Sequence, residues 1–167
     1  MSTSPSSNPR FAFYNQDHAF NRVRNSLGEL VVLDTLPGCG KTAFLNKLKT
    51  EYKTQQWQCS LIPLKRARNE MDTVTAAIES ISDRPIEAPD SLAQALHSLL
   101  EQLQPGQPQA LMFDDVQCLG TQALDWVKRK LARDLQRELK DLTDNKFLLI
   151  FSGHSIRGTT PWPMGSR

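Results

Sequence analysis

The chain has 167 residues, of which 39% are hydrophobic and 23% are charged, and its formal net charge is +2. This length is enough for one domain with its own core, and the composition excludes a largely disordered chain. The small net charge by itself points to no particular partner. The three cysteines are isolated and odd in number, which argues against a disulfide framework or a zinc site and favours a reducing compartment.

The two ends of the chain predict tails around a single core. Residues 1–12 are rich in Ser, Pro and Asn and are expected to be disordered, and residues 158–167 are expected to be irregular. The start lacks the basic and apolar regions of a signal peptide, and no apolar run reaches the ~20 residues that span a bilayer. We therefore expect a cytoplasmic protein with no membrane partner and a core over residues 13–157.

Hydrophobic periodicity predicts alternating strands and helices along this core. The predicted strands cover residues 30–33, 59–64, 110–113 and 146–153. The predicted helices cover residues 15–28, 41–52, 71–81, 91–103 and 121–143. Such alternation is typical of an α/β domain with a parallel sheet.

Three side-chain patterns place these elements more specifically. The apolar run from Val31 to Leu33 predicts a first strand that is covered on both faces. Pro63 cannot donate to a strand ladder, so the second strand is expected at an edge of the sheet. In the first helix, Asn15 is the expected cap, and Phe20, Val23 and Leu27 are expected to share a buried face.

A glycine-bearing turn connects the first strand to the next helix. It reads Pro37-Gly38-Cys39-Gly40-Lys41-Thr42. Glycine lets backbone N–H groups approach phosphate oxygens that a Cβ would obstruct, and the helix start adds unpaired N–H groups. Lys41 can reach the outer phosphates, and the Thr42 hydroxyl is placed to ligate a Mg²⁺ held between them. The turn therefore predicts a polyphosphate site.

Two acidic residues end the third predicted strand. This stretch reads Ala110-Leu111-Met112-Phe113-Asp114-Asp115. A carboxylate beside a core strand is unfavourable unless a cation or hydrogen bonds compensate for its burial. Mg²⁺ on ATP would supply that compensation, so the pair predicts a metal site.

Together the two motifs resemble the Walker A and Walker B motifs of P-loop NTPases. Gly40, Lys41 and Thr42 match the pattern G-x-x-x-x-G-K-[ST], with Thr35 at its first position. The Pro-Gly pair is similar to AAA+ and STAND (NB-ARC/NACHT-like) ATPases. The resemblance implies a three-layer α/β/α P-loop NTPase core with a mostly parallel four-stranded sheet in the order 1-4-3-2. It also implies a core truncated at its C-terminus, without a fifth strand or a helical lid.

The resemblance further implies roles for individual residues. Asp115 would be the catalytic acid that orients water, and Thr42 and Asp114 would hold Mg²⁺. Ser152, which ends the fourth strand, would be a sensor near the γ-phosphate, with His154 and Arg157 as alternatives. The residues expected to contact ATP are Pro37, Gly38, Cys39, Gly40, Lys41, Thr42, Ala43 and Ser152.

The long helix predicted over residues 121–143 has a basic face opposite its leucines. This basic face consists of Arg129, Lys130, Arg133, Arg137 and Lys140. Such a stripe can contact nucleic acid or an acidic partner, although a solvated helix face is the more common arrangement.

Three functions are open on these observations. The first is ATP binding with Mg-dependent, slow hydrolysis by a nucleotide-dependent switch, which acts with a protein partner or effector domain in a larger assembly. The second is an inactive interaction module that binds nucleotide weakly or not at all. The third is an AAA+-type ATPase that acts on DNA through the basic face. Small-molecule kinases also use such a phosphate loop, but the paired acids fit an ATPase better.

Overall fold

Four parallel strands form the centre of the molecule. The computed structural model describes residues 18, 20–36, 38, 40–87, 89–158 and 160–163. The strands are β1 (Glu29–Asp34), β2 (Gln58–Pro63), β3 (Gln109–Asp114) and β4 (Phe147–Gly153). They are paired in parallel in the order β1-β4-β3-β2. This order confirms the predicted topology, and it places Pro63 on an edge strand, as expected.

Helices connect the strands. They are α1 (Lys41–Thr54), α2 (Glu70–Ser82), α3 (Leu92–Gln102), α4 (Thr121–Trp126) and α5 (Ala132–Thr143). A π-helical turn over Val127–Leu131 joins α4 to α5, and a short 3-10 turn over Val116–Cys118 follows β3. The helix predicted over residues 121–143 is therefore continuous from Thr121 to Thr143, with a π-helical turn inside it. No helix among the described residues has the length and apolar content needed to cross a lipid bilayer.

The sheet has an apolar layer on each face, which confirms the three-layer architecture. On one face, side chains of α1 and of the helical residues 20–24 pack against alternate residues of the strands. On the other face, the strands pack against the helices α2 to α5 and the π-helical turn. In β4 the alternation is regular: Leu148 and Ile150 face α1, and Leu149 and Phe151 face the opposite layer. This alternation decides which side chains at the strand ends lie over α1.

The strand β1 is less buried than the sequence predicted. Leu30 and Val32 are buried, but Val31 and Leu33 are only partly buried. Within the described residues β1 has a strand on one side only, since it pairs with β4 at the edge of the sheet. Both faces of β1 are covered as predicted, but the α1 layer covers Val31 and Leu33 only in part.

The first predicted helix is shorter than expected. Residues 20–24 are helical and a turn follows over residues 25–28. Phe20 and Val23 are buried as predicted, whereas Leu27 lies in the turn and is 44% exposed. Leu27 therefore does not share their face. The predicted cap Asn15 and residues 1–12 lie outside the described residues.

Candidate nucleotide-binding site

The loop before α1 has the backbone conformation that its glycines allow. Gly38 and Gly40 have φ angles of +75° and +85°, in the left-handed region that favours glycine. The N–H of Phe44 donates to the Gly40 carbonyl at 2.9 Å, which closes the first turn of α1. The N–H groups ahead of Phe44 therefore have no acceptor within the helix and are available to an anion. The predicted contacts Pro37 and Cys39 lie outside the described residues.

Thr42 and Asp114 come together from distant parts of the sequence. The Thr42 hydroxyl donates to Asp114 Oδ2 at 2.7 Å, although the residues are 72 positions apart. Asp114 is buried, and its other oxygen, Oδ1, accepts the backbone N–H of Asp115 at 2.9 Å. Both oxygens of the buried carboxylate are thereby hydrogen-bonded.

The Thr42–Asp114 pair fits a magnesium site. Mg²⁺ prefers oxygen ligands and is commonly bound through one or two protein groups, with phosphate oxygens and water completing its shell. A hydroxyl and a carboxylate in contact at the start of α1 provide such groups. In the described part of the chain there is no cluster of three or more His, Cys, Asp or Glu residues that could enclose a metal.

The second acid, Asp115, is ion-paired with Lys41. The Lys41 ammonium lies 3.2 Å from Asp115 Oδ1, and both side chains are largely buried. Asp115 has a φ angle of +60°, which turns the chain sharply after β3. Burial alone would raise the pKa of Asp115, but the hydrogen bond from Gln117 and the ion pair with Lys41 outweigh it and hold the pKa below its ordinary value. The carboxylate is therefore ionised and fixed in position.

Ser152 lies on the same face of the sheet as the buried acid. Phe113 of β3 is paired with Phe151 of β4, so Asp114 and Ser152 follow at equivalent positions. The alternation of β4 turns Ser152 toward α1. Its side chain is fully buried, and its hydroxyl has no hydrogen-bond partner among the described residues.

Both alternative sensors after β4 make backbone contacts, and Arg157 also makes a side-chain contact. The backbone N–H of His154 donates to Gln117 Oε1 at 3.4 Å. The backbone N–H of Arg157 donates to Asp34 Oδ2 at 3.2 Å, and its guanidinium Nε lies 3.9 Å from the same oxygen. Because Asp34 ends β1, this contact ties the segment after β4 to the beginning of the phosphate loop.

The residue that the sequence analysis missed in this site is Gln117. Its side-chain amide donates to Asp115 Oδ1 at 3.2 Å. The only sequence signal is a polar residue two positions after the acidic pair, and many surface turns have that pattern.

The basic face of the long helix is exposed as predicted. All five of its side chains are exposed, and two of them approach one acid: Lys130 lies 3.1 Å and Arg137 lies 3.9 Å from Asp134. This acid weakens the positive potential near its two partners.

Loop amides, a Thr–Asp pair and an acidic strand end meet at the carboxyl edge of a parallel sheet in the order 1-4-3-2. That arrangement is characteristic of a P-loop NTPase of the AAA+ type. The sequence profile of the AAA domain family matches residues 24–157, and the chain belongs to this family. Comparison with curated proteins gave no match.

Several solved structures share the fold. Cdc6p from Pyrobaculum aerophilum has a TM-score of 0.63 and 21% identity, over 95% of this chain and 47% of that one. Aeropyrum pernix ORC1, solved in complex with DNA, has a TM-score of 0.59 and 15% identity, over 84% of this chain and 39% of that one. Drosophila ORC bound to poly(dA/dT) DNA and Cdc6 has a TM-score of 0.56 and 10% identity, over 87% of this chain and 25% of that one. The chain thus spans less than half the length of each of these proteins.

Proposed function

We propose that this chain binds ATP with Mg²⁺ and hydrolyses it slowly, as a nucleotide-dependent switch in a larger assembly. The observation that carries the proposal is the 2.7 Å contact between the Thr42 hydroxyl and the buried Asp114 carboxylate. A buried acid beside the N-terminus of a helix, with a hydroxyl as its neighbour, suits a cation held against phosphate.

Each residue of the site has a separate task in this proposal. The loop amides and Lys41 bind the phosphates, while Thr42 and Asp114 hold Mg²⁺. When bound, the ion neutralises charge on the β- and γ-phosphates. Asp115 orients the attacking water, and Ser152 contacts the γ-phosphate or that water. An aspartate at position 115, where many AAA+ ATPases have the longer glutamate, supports slow, STAND-like turnover.

The ion pair between Lys41 and Asp115 supports a switch. A phosphate bound in the loop would compete with Asp115 for the Lys41 ammonium, which lies 3.2 Å from Asp115 Oδ1. Nucleotide binding therefore changes the charge balance at the end of β3. A protein partner that contacts this edge of the sheet would sense the change.

Substitutions of Lys41 and Asp115 test the two halves of the proposal. At an ATP concentration near 100 times Kd, binding should stabilise the wild type by about 2.7 kcal/mol, read as a thermal shift. Lys41→Ala should abolish that shift, because the phosphates lose their cation. Asp115→Asn should keep the shift but slow phosphate release about tenfold or more, because an amide orients water poorly.

Lys53→Ala is the matched control, because Lys53 is an exposed lysine in the last turn of the same helix. It should behave like the wild type. Undiminished binding by Lys41→Ala would refute the site, and equal turnover by Asp115→Asn would exclude Asp115 as the residue that orients water. A wild type that neither binds nor hydrolyses ATP would favour the inactive interaction module.

A second candidate function is an ATPase that acts on DNA. The observation that favours it is the exposed basic face of the long helix. Two of the structurally similar proteins were solved with DNA, which agrees with this candidate but does not extend to this chain.

A further inference from the structure

In the turn after β3, buried side chains lie on both sides of Gln117 in the sequence. Val116 is fully buried and Leu119 is 5% exposed, both in the apolar layer that covers the sheet opposite α1. The N–H of Cys118 donates to the Asp115 carbonyl at 3.0 Å and closes the turn. The backbone of Gln117 is therefore held in place, and its side chain points back toward the acidic pair.

The Gln117 amide bridges two parts of the site. Its nitrogen donates to Asp115 Oδ1 at 3.2 Å, and its oxygen accepts the backbone N–H of His154 at 3.4 Å. One contact requires a donor and the other requires an acceptor, so a single amide orientation satisfies both. Gln117 thereby connects the end of β3 to the end of β4.

Gly153 leaves the space that this amide occupies. A Cβ at Gly153 would lie 2.5 Å from Gln117 Oε1, closer than real Cβ contacts allow. The Gly153 carbonyl also accepts the N–H of Thr35 at 2.8 Å, at the start of the phosphate loop. The end of β4 is therefore in contact with both the Gln117 amide and the loop that would hold phosphate.

We propose that Gln117 is the positioning residue for Asp115 during hydrolysis. Asp115 Oδ1 has two side-chain donors in the described structure, Lys41 and Gln117. Lys41 also has to bind the phosphates in the proposed function, so Gln117 is the side-chain donor that Asp115 does not share with the nucleotide. Through His154 the same amide fixes Asp115 relative to the end of β4, where Ser152 lies. This inference rests on the proposed function of the site.

Two substitutions separate the hydrogen bonds of Gln117 from its bulk. Gln117→Met keeps the length but removes the hydrogen bonds of the amide, whereas Gln117→Glu keeps the acceptor for His154 but puts a second negative charge beside Asp115. Gln117→Met should lower kcat about 10- to 100-fold, as is typical when the partner of a reacting group is removed, with Kd for ATP within about twofold of the wild type. Gln117→Glu should lower kcat at least as much, and its added charge should also weaken ATP binding. Gln122→Met changes an exposed glutamine of α4 and should leave both constants unchanged.

A double-mutant cycle with Gly153→Ala tests the bridge itself. Gly153→Ala should lower kcat because the new methyl group displaces the Gln117 amide. In a Gln117→Ala background the contact with Oε1 is gone, and only the contacts with Ile156 Cγ2 at 2.9 Å and with the backbone N of residue 117 at 3.1 Å remain, so the same change should cost less. The combined loss in kcat is expected to be clearly smaller than the product of the single losses.

The outcomes are distinguishable. Wild-type kcat in Gln117→Met or Gln117→Glu, a parallel loss of ATP affinity in Gln117→Met, or strictly multiplicative losses in the cycle would each overturn the positioning role. A wild type that binds ATP without turnover would also overturn it, while leaving nucleotide binding intact. A wild type that binds no ATP would overturn the proposed function as well.

Discussion

At the scale of single residues, Ser152 is the least satisfied polar group near the site. Its hydroxyl is buried on the face that carries Asp114, and it has no hydrogen-bond partner in the described part of the chain. Leaving such a group unbonded costs about 1–3 kcal/mol. That cost is explained if a phosphate oxygen or the attacking water supplies the missing partner in the nucleotide complex.

We expect Ser152→Ala to lower ATP turnover without lowering the free energy of unfolding. The nucleotide-free protein should be as stable as the wild type or up to about 1 kcal/mol more stable, because an unbonded hydroxyl is removed. ATP turnover should fall. Urea unfolding and phosphate release measure the two effects.

Thr143→Val is the comparison, because the Thr143 hydroxyl is buried and donates to the Leu139 carbonyl at 2.6 Å. It should lose about 1 kcal/mol of unfolding free energy. If Ser152→Ala loses as much stability as Thr143→Val, or keeps full turnover, the sensor role of Ser152 is contradicted.

The sequence predicted the meeting of Thr42 and Asp114 but not the role of Gln117. Thr42 begins the helix after β1 and Asp114 ends β3, and the carboxyl ends of these parallel strands had to lie at one edge of the sheet. Gln117 acts through the geometry of a three-residue turn and the space left by Gly153. Neither feature has a periodicity that a linear sequence displays.

At the scale of elements, the π-helical turn between α4 and α5 contains a buried lysine. Lys128 is 2% exposed, and its ammonium donates to the carbonyls of Arg157 at 2.6 Å and Thr160 at 3.0 Å. It also lies 5.4 Å from the ring centroid of Trp162. Burial lowers the pKa of Lys128, against the opposing effect of Asp125 and Asp34. Lys128 therefore links the π-helical turn to the segment that follows β4.

The sequence contained a signal for this lysine. Lys128 falls four positions after Leu124 and three before Leu131, on the leucine stripe of the predicted helix. A cation on an apolar stripe indicates a buried partner. The partners could not be identified in advance, because they are backbone carbonyls of a segment without regular structure.

Lys128→Met should loosen that segment. The substitution keeps the bulk but removes charged hydrogen bonds to two carbonyls, so we expect a loss of about 1.5–3 kcal/mol in unfolding free energy. In the wild type Trp162 is buried, and its indole N–H donates to the Ile156 carbonyl at 3.0 Å. In the variant we expect Trp162 to become more accessible to fluorescence quenchers. Lys130→Met, at an exposed site, should stay within about 0.5 kcal/mol of the wild type. Equal stability of the two variants would show that the carbonyl contacts contribute little.

At the scale of the whole molecule, the strand order was predictable and the burial of its edge was not. Two motifs at the ends of β1 and β3 implied the 1-4-3-2 order through their resemblance to P-loop NTPases. The partial exposure of Val31 and Leu33 depends on what lies beside β1, and local sequence does not encode that.

The basic face leads to a prediction about the surface of the whole protein. If it contacts DNA, Arg133→Glu with Arg137→Glu should weaken binding about tenfold or more and lower the salt slope by about 2, at ~0.9 per lost phosphate contact. Fluorescence anisotropy with a labelled duplex, between about 50 and 200 mM salt, measures both the affinity and its salt slope.

The control is Lys53→Glu with Arg84→Glu, which changes the net charge equally at exposed sites outside this helix. It should have a smaller effect, because those side chains would not contact the duplex. Equal losses in the two double variants would show that only overall charge matters, and a wild type that binds no duplex would remove DNA from the candidate partners.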